Sequence, residues 1–427
     1  MEWEPEGPTV SPIPVNQAVS AAVARDCTVD KFDIESARAD TLGCRSVLHL
    51  NNAGAALMPR PVVEVMVSHL QAEASVGGYE AAIDATEQLD LVYTAVATML
   101  GCSPDEIAIL DNATRAWTLV VQSIPLGQGD RVLVGEAEYI SNCIALEAIC
   151  ARTGARLQMI PTDKEGRVCV DTLRNMVDEH VKLIAVTHIP IYGGRVNPIV
   201  EIGRIAHQAN SIYVVDACQS MGQVPIDIQA VGCDFLTAAG RKYLRGPRGT
   251  AILYARSTSV TKLSHFPPAD VYGTRWLPDG RCGVRDDARR FESWETNCAA
   301  KIGLGLAVEY ANQWRVASTW LRVRSLGAHL RMALSELSEV QLYDTAGDAC
   351  GIVSFAVGSA QPEKMRIALA DRGINVSISE PTLTPRYPIA QRFGSVIRAS
   401  VHYYNTREEI DTFVETLDSL ARRSGSA

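Results

Sequence analysis

Apolar residues recur along this chain in two alternating registers. From about Leu57, stretches with helical spacing are interleaved with short apolar runs: EIAIL from Glu106, RVLVG from Arg131, RLQMI from Arg156, KLIAVTH from Lys182, SIYVVD from Ser211, DFLTA from Asp234 and TAILYA from Thr250. Runs of four to seven residues with no polar alternation predict strands covered on both faces, and strands separated by helices predict an α/β fold whose sheet is largely parallel. After Phe291 the rhythm changes. A helical stretch runs to about Leu337, followed by a strand at GIVSFAV, a helix from about Glu363, strands at GINVSIS and VIRASVHYY, and an amphipathic helix in NTREEIDTFVETLDSLARR capped by Asn405 or Thr406.

This division predicts three parts: an N-terminal arm over 1–45, a large domain over 46–300 and a smaller α/β domain over 301–427 that closes over it. The arm carries Pro5, Pro8, Pro12 and Pro14 without a period, so it reads as a loose or partner-embracing segment. No internal repeat interrupts the pattern.

Ligands on a parallel sheet collect where strands pass into helices, and that is where the polar residues stand. Asp216 closes the run IYVVD, where an ionised carboxylate is costly without a cationic partner. Gln219 lies within the next turn, and Lys242 follows DFLTAAG in a segment whose Gly246, Pro247 and Gly249 suit tight backbone beside a ligand. Taken alone, Asp216 reads more readily as a helix cap and Lys242 as a surface lysine. Together, a carboxylate, an amide and an amine match the ring nitrogen, phenolic oxygen and aldehyde carbon of pyridoxal phosphate (PLP).

Three further segments supply candidates. In EIAILDNATRAW, a strand, a turn and a helix start place Ala113 and Thr114 at a helix N-terminus, a seat for phosphate as well as an ordinary cap. Tyr139, in EAEYISN, is an aromatic that can lie against the ring or simply pack. Arg398, inside VIRASVHYY, is an arginine on a strand that calls for a planar anion such as an α-carboxylate, or for a structural ion pair.

Charge and cysteine usage narrow the class. A net charge of -9 offers no footing for nucleic acid, and no run of 18 apolar residues or charged leader points to a membrane. The expectation is a cytoplasmic protein acting on a small molecule. The 11 cysteines are scattered singly, without the paired spacing of a zinc site or disulfide scaffold, so no metal is expected.

From LHLNNAG near 48 to YNTREEID near 410, the chain resembles the class V aminotransferase family of PLP enzymes, most specifically in VVDACQS, GRKYLRGPRG, RFESWETN and IRASVHYYNTREEID. The resemblance implies the type I PLP-dependent transferase fold, PLP as cofactor, an amino-acid substrate and a homodimer with active sites near the interface. It gives Lys242 the covalent link to PLP and the proton transfer at Cα, Asp216 and Gln219 the ring, Ala113 and Thr114 the phosphate, Tyr139 the stacking place and Arg398 the substrate carboxylate. Asn52 and Ala53 would line the substrate side, with Gly77, Gly78 and Tyr79 nearby and Thr296 reaching a phosphate across the dimer.

The departures bear on the reaction. Desulfurases of the family carry a nucleophilic cysteine on a loop ahead of the arginine, and SISEPTLTPRYPIAQRFGSV has none. The serine and histidine before the family lysine read here as Ala239 and Arg241, which leaves Arg241 to bind phosphate, and the strand-end asparagine reads as Ile191. The expected reaction is therefore β-elimination, similar to that of C–S lyases. An aminotransferase or epimerase of secondary metabolism is the alternative, and an inactive PLP-fold binding protein is the third.

Overall fold

The computed structural model describes residues 32–263, 270–343 and 349–424. Most of the expected N-terminal arm therefore lies outside the described residues. Its last part forms a short helix at Ile34–Ala39 and a single turn at Leu42–Arg45.

A seven-stranded sheet runs in spatial order Ile107–Leu110, Ala251–Ala255, Phe235–Ala239, Ile212–Asp216, Val181–Thr187, Arg131–Gly135 and Arg156–Ile160. All pairs are parallel except those made by Ala251–Ala255, which runs against both of its neighbours. Each of the seven apolar runs is thus a strand of one sheet. Successive side chains point to opposite faces, and both faces are buried. Leu133, Ile184, Val215 and Leu236 pack under the helices Thr86–Leu100 and Ile199–Gln208. Val132, Val134, Ala185 and Val214 pack under Ala113–Ser123 and Ile140–Thr153. Two-sided burial is what an uninterrupted apolar run requires.

The C-terminal part is a four-stranded antiparallel sheet in the order Val340–Leu342, Ile352–Val357, Val396–Ser400, Ser377–Ser379. It is covered by the helices Val316–Ser335 and Arg407–Ser424. The last helix opens on the expected box: Glu409 N–H donates to Thr406 Oγ1 at 3.1 Å while Thr406 N–H donates to Glu409 Oε2 at 3.2 Å.

Two expectations are altered. The helical stretch after Phe291 is two helices, Cys298–Gln313 and Val316–Ser335, broken at Arg315, which takes φ +56°. The first of these, beyond the expected boundary at 300, packs on Arg60–Val76 and Thr86–Leu100 of the large part. Conversely Ala37 and Leu50, from the N-terminal side, are buried in the C-terminal core. Among the described residues no helix is long and apolar enough to cross a membrane.

The loop after Phe235–Ala239 is held from two sides. Gly222, at φ +83°, lies so close that an added Cβ would stand 2.6 Å from the Tyr243 carbonyl oxygen, so only glycine lets the turn after Asp216 approach the lysine loop. Arg245, 1% exposed and at φ +61°, donates to Leu57 O at 2.8 Å, Tyr403 Oη at 2.7 Å and Thr41 Oγ1 at 2.5 Å. Its guanidinium also lies 4.6 Å from the centre of the Tyr404 ring.

Candidate active site

Five of the parallel strands end at one cavity. Its walls come from Asn112, Ala113 and Thr114 after the first strand; Ala137, Tyr139 and Asn142; Thr187, Ile189 and Ile191; Asp216, Cys218 and Gln219; and Ala239, Arg241 and Lys242. Seven of the residues singled out in the sequence therefore meet: Ala113, Thr114, Tyr139, Asp216, Gln219, Arg241 and Lys242. They share only a position, the C-terminal ends of adjacent strands, where backbone N–H groups and helix starts are open to a ligand.

Asp216 is buried, and both its oxygens are fixed. Oδ1 accepts from Cys218 N–H at 2.8 Å and Oδ2 from Asn142 Nδ2 at 2.7 Å. Lys242 is half-buried. Burial lowers its pKa, and Arg241 and Arg398 press the same way against the opposing pull of Cys218 and Asp216. A lowered pKa leaves more of the amine neutral and nucleophilic. Gln219 donates through Nε2 to Ala53 O at 3.1 Å, and its Oε1 is buried without a partner. The side chain of Asn112 caps the helix Ala113–Ser123 by accepting from Arg115 N–H at 2.8 Å. Ala113 and Thr114 line the cavity and stand in the first turn of the helix, where N–H groups have no intrahelical partner.

Arg398 does not line this cavity; it is buried on Val396–Ser400, with Nε unpartnered. Burial lowers its pKa to about 10, and Tyr243 is the group that pulls it back. Asn52 also stands away from the cavity. It is fully buried, donates to Ser400 O at 2.7 Å and accepts from the Tyr404 hydroxyl. The amide expected to face substrate is thus engaged by Ser400 and Tyr404. Ala53 touches the site through its carbonyl on Gln219. Tyr79 and Thr296 line a different groove, with Trp294 and Lys301.

Four wall or backing residues went unremarked in the sequence: Glu138, Asn142, Thr187 and Cys218. Glu138 is 1% exposed, and its Oε1 accepts from Asn142 Nδ2 at 2.7 Å, from Tyr139 N–H at 3.2 Å and from the Thr187 hydroxyl. Burial, and then the charge of Asp216, raise its pKa to about 7. Cys218 is a cavity cysteine, and burial and Asp216 push its thiol well above the usual range, so it stays protonated. The signal for these four was the same as for Asp216: polar residues at or just past the end of an apolar run, as in VLVGEAE and LIAVTH.

The residues present fit PLP. A fixed carboxylate suits a protonated pyridine nitrogen, open N–H groups at a helix start suit a phosphate, and a neutral-leaning amine stands in the same cavity. Ile191 and Ala239 leave two of the wall positions apolar.

Comparison with known proteins agrees. Residues 48–413 match the family model for aminotransferase class-V. A probable cysteine desulfurase of Methanothermobacter thermautotrophicus is 31% identical over 395 residues, which cover 91% of this chain and 98% of that protein. The apo structure of cysteine desulfurase from Thermococcus onnurineus NA1 superposes with a TM-score of 0.83 at 26% identity, covering 91% of this chain and 98% of the other. A mutant C-DES protein with glycine covalently linked to its PLP cofactor superposes with a TM-score of 0.81 at 21% identity, covering 89% and 98%.

Proposed function

Because the chain belongs to the class V aminotransferase family and is a PLP-dependent enzyme of the type I fold, we propose that it cleaves a Cβ–heteroatom bond of an amino acid by β-elimination. PLP, when bound, supplies the electron sink that makes a Cα proton acidic enough to remove. The remaining work falls to side chains of this protein. Lys242 would hold the cofactor, and its Nζ, whose pKa is lowered, would take the Cα proton. Asp216 would keep the ring nitrogen protonated, Gln219 would offer its second amide hydrogen to the phenolic oxygen, and Tyr139 would cover the ring. The N–H groups of Ala113 and Thr114, with Arg241, would hold the phosphate. Arg398, whose Nε has no partner, would take the substrate carboxylate. In the net reaction the amino acid and one water would give pyruvate, ammonia and the leaving group, which departs with the Cβ electron pair and takes up the proton removed from Cα.

The observation that carries this reading is the state of the cysteines. No cysteine stands between Cys350 and Arg398. The cysteine that does line the cavity, Cys218, is held protonated beside Asp216. A persulfide-forming transfer needs a thiolate nucleophile. Incubation with cysteine, cystine and cysteine S-oxides tests the proposal: release of pyruvate with ammonia supports it, whereas turnover that requires a keto-acid acceptor identifies an aminotransferase.

The proposed partner is a second copy of the chain. Val63, Val67 and Leu70 are 40 to 52% exposed at helical spacing on Arg60–Val76. Tyr79 and Trp294, exposed at 71% and 59%, line one groove beside them. Exposed apolar side chains at this spacing support an interface, and light scattering that returns twice 46.2 kDa is the expected result.

A further inference from the structure

Asp216 is held by a second carboxylate it does not touch. Asn142 has two amide hydrogens, and Nδ2 lies 2.7 Å from Glu138 Oε1 and 2.7 Å from Asp216 Oδ2. One amide thus spans two buried acids. Glu138 precedes the helix Ile140–Thr153, and Asn142 lies within its first turn. Thr187, which also donates to Glu138, stands directly opposite Asp216 in the parallel pairing of their strands. Helix and sheet are therefore pinned together at the acid that faces the cavity.

On the reading that Asp216 holds the pyridine nitrogen, we propose that Glu138 is a positioning residue for PLP: it acts through Asn142 to fix the rotamer of the Asp216 carboxylate. Three donors converge on Glu138 Oε1 and none reaches Oε2, which is buried beside a small cavity lined by Thr162, Val168 and Asn197. A carboxyl group that needed only to be solvated would not draw every donor to one oxygen. That oxygen is instead the fixed point against which the Asn142 amide is oriented, leaving its other hydrogen aimed at Asp216. Without the acceptor, the amide can turn about its last torsion, and Asp216 loses the partner on Oδ2 while keeping only Cys218 N–H on Oδ1. After burial itself, the nearby charge of Asp216 raises the pKa of Glu138.

The test titrates apoprotein with PLP in wild type, Glu138→Leu, Glu138→Gln and Thr187→Val, reading the dissociation constant and the visible absorption band of the bound cofactor. Wild-type protein that takes up no PLP overturns the reading of the site itself, and this inference with it. Given wild-type binding, Glu138→Leu is expected to bind about tenfold or more weakly and to shift the band, the scale of one lost charge-assisted hydrogen bond. Glu138→Gln keeps an acceptor oxygen and is expected to remain within about threefold of wild type. Thr187→Val removes one donor to the same oxygen and is expected to fall between them, which decides the matter if Glu138→Leu does not fold. Wild-type affinity and band in Glu138→Leu, or in Thr187→Val should that variant alone fold, would overturn the assignment. So would a Glu138→Gln variant as impaired as Glu138→Leu.

Discussion

Gln219 reaches across the molecule to Ala53, donating from Nε2 to its carbonyl oxygen at 3.1 Å. The Ala53 N–H in turn donates to Ser400 Oγ at 2.9 Å, two residues beyond Arg398 on the same strand. One residue of the Asn51–Ala55 loop thereby joins the wall that would face the ring to the strand that would hold the substrate carboxylate.

The placement of Arg398 leads to a substrate-selective defect. Arg398→Lys keeps the charge but loses the planar fork, so KM for amino acids should rise about 10- to 100-fold, the worth of a bidentate charge-assisted contact. PLP binding should be unchanged. Steady-state kinetics alongside PLP titration checks this; equal losses in both would assign Arg398 to the cofactor or to folding.

Arg245 makes the lysine loop a point of stability. Its partners are a carbonyl, two hydroxyl groups and the Tyr404 ring face, all in a buried setting. Arg245→Met leaves those groups without a donor, and the cost should be about 3 kcal/mol or more. Chemical denaturation of the apoprotein measures it directly, and a loss below about 1 kcal/mol would show that the loop is held by other contacts.

The raised pKa of Glu138 ties stability to pH with a definite sign. Its carboxyl is near 7 in the folded chain against an ordinary 4.5, so the folded state keeps a proton that the unfolded state has released over that interval. The contribution is complete below about pH 4.5 and fades as pH rises through about 7, a change on the order of 3 kcal/mol. Glu138→Gln in the apoprotein has no such proton to lose. Its melting temperature relative to wild type should climb between about pH 5 and pH 8; a constant difference across that range would mean that Glu138 stays charged throughout.

The central sheet was legible because burial on both faces leaves an unbroken apolar run, and each run from Ile107 to Ala255 became a strand. Lys242, Asp216 and Tyr139 were legible because polar residues at the ends of such runs have nowhere to go but the ligand side. The break at Arg315 was not, since a single left-handed residue leaves the helical period on either side nearly intact. Asn52 was misplaced because its motif fixes the loop but not the direction of the side chain, which Ser400 and Tyr404 capture from more than 300 residues away. Glu138 escaped notice for a related reason. Its role depends on Asn142 and Thr187 converging from a helix and a separate strand, a meeting that no local pattern records.

The covalent attachment of PLP to Lys242 is the claim on which the rest stands. Protein loaded with PLP, reduced with borohydride, digested and read by mass spectrometry should yield one modified peptide, with the pyridoxyl group on Lys242, and Lys242→Ala should yield none. Label on another lysine, or a wild-type protein that takes up no label at all, would contradict the account.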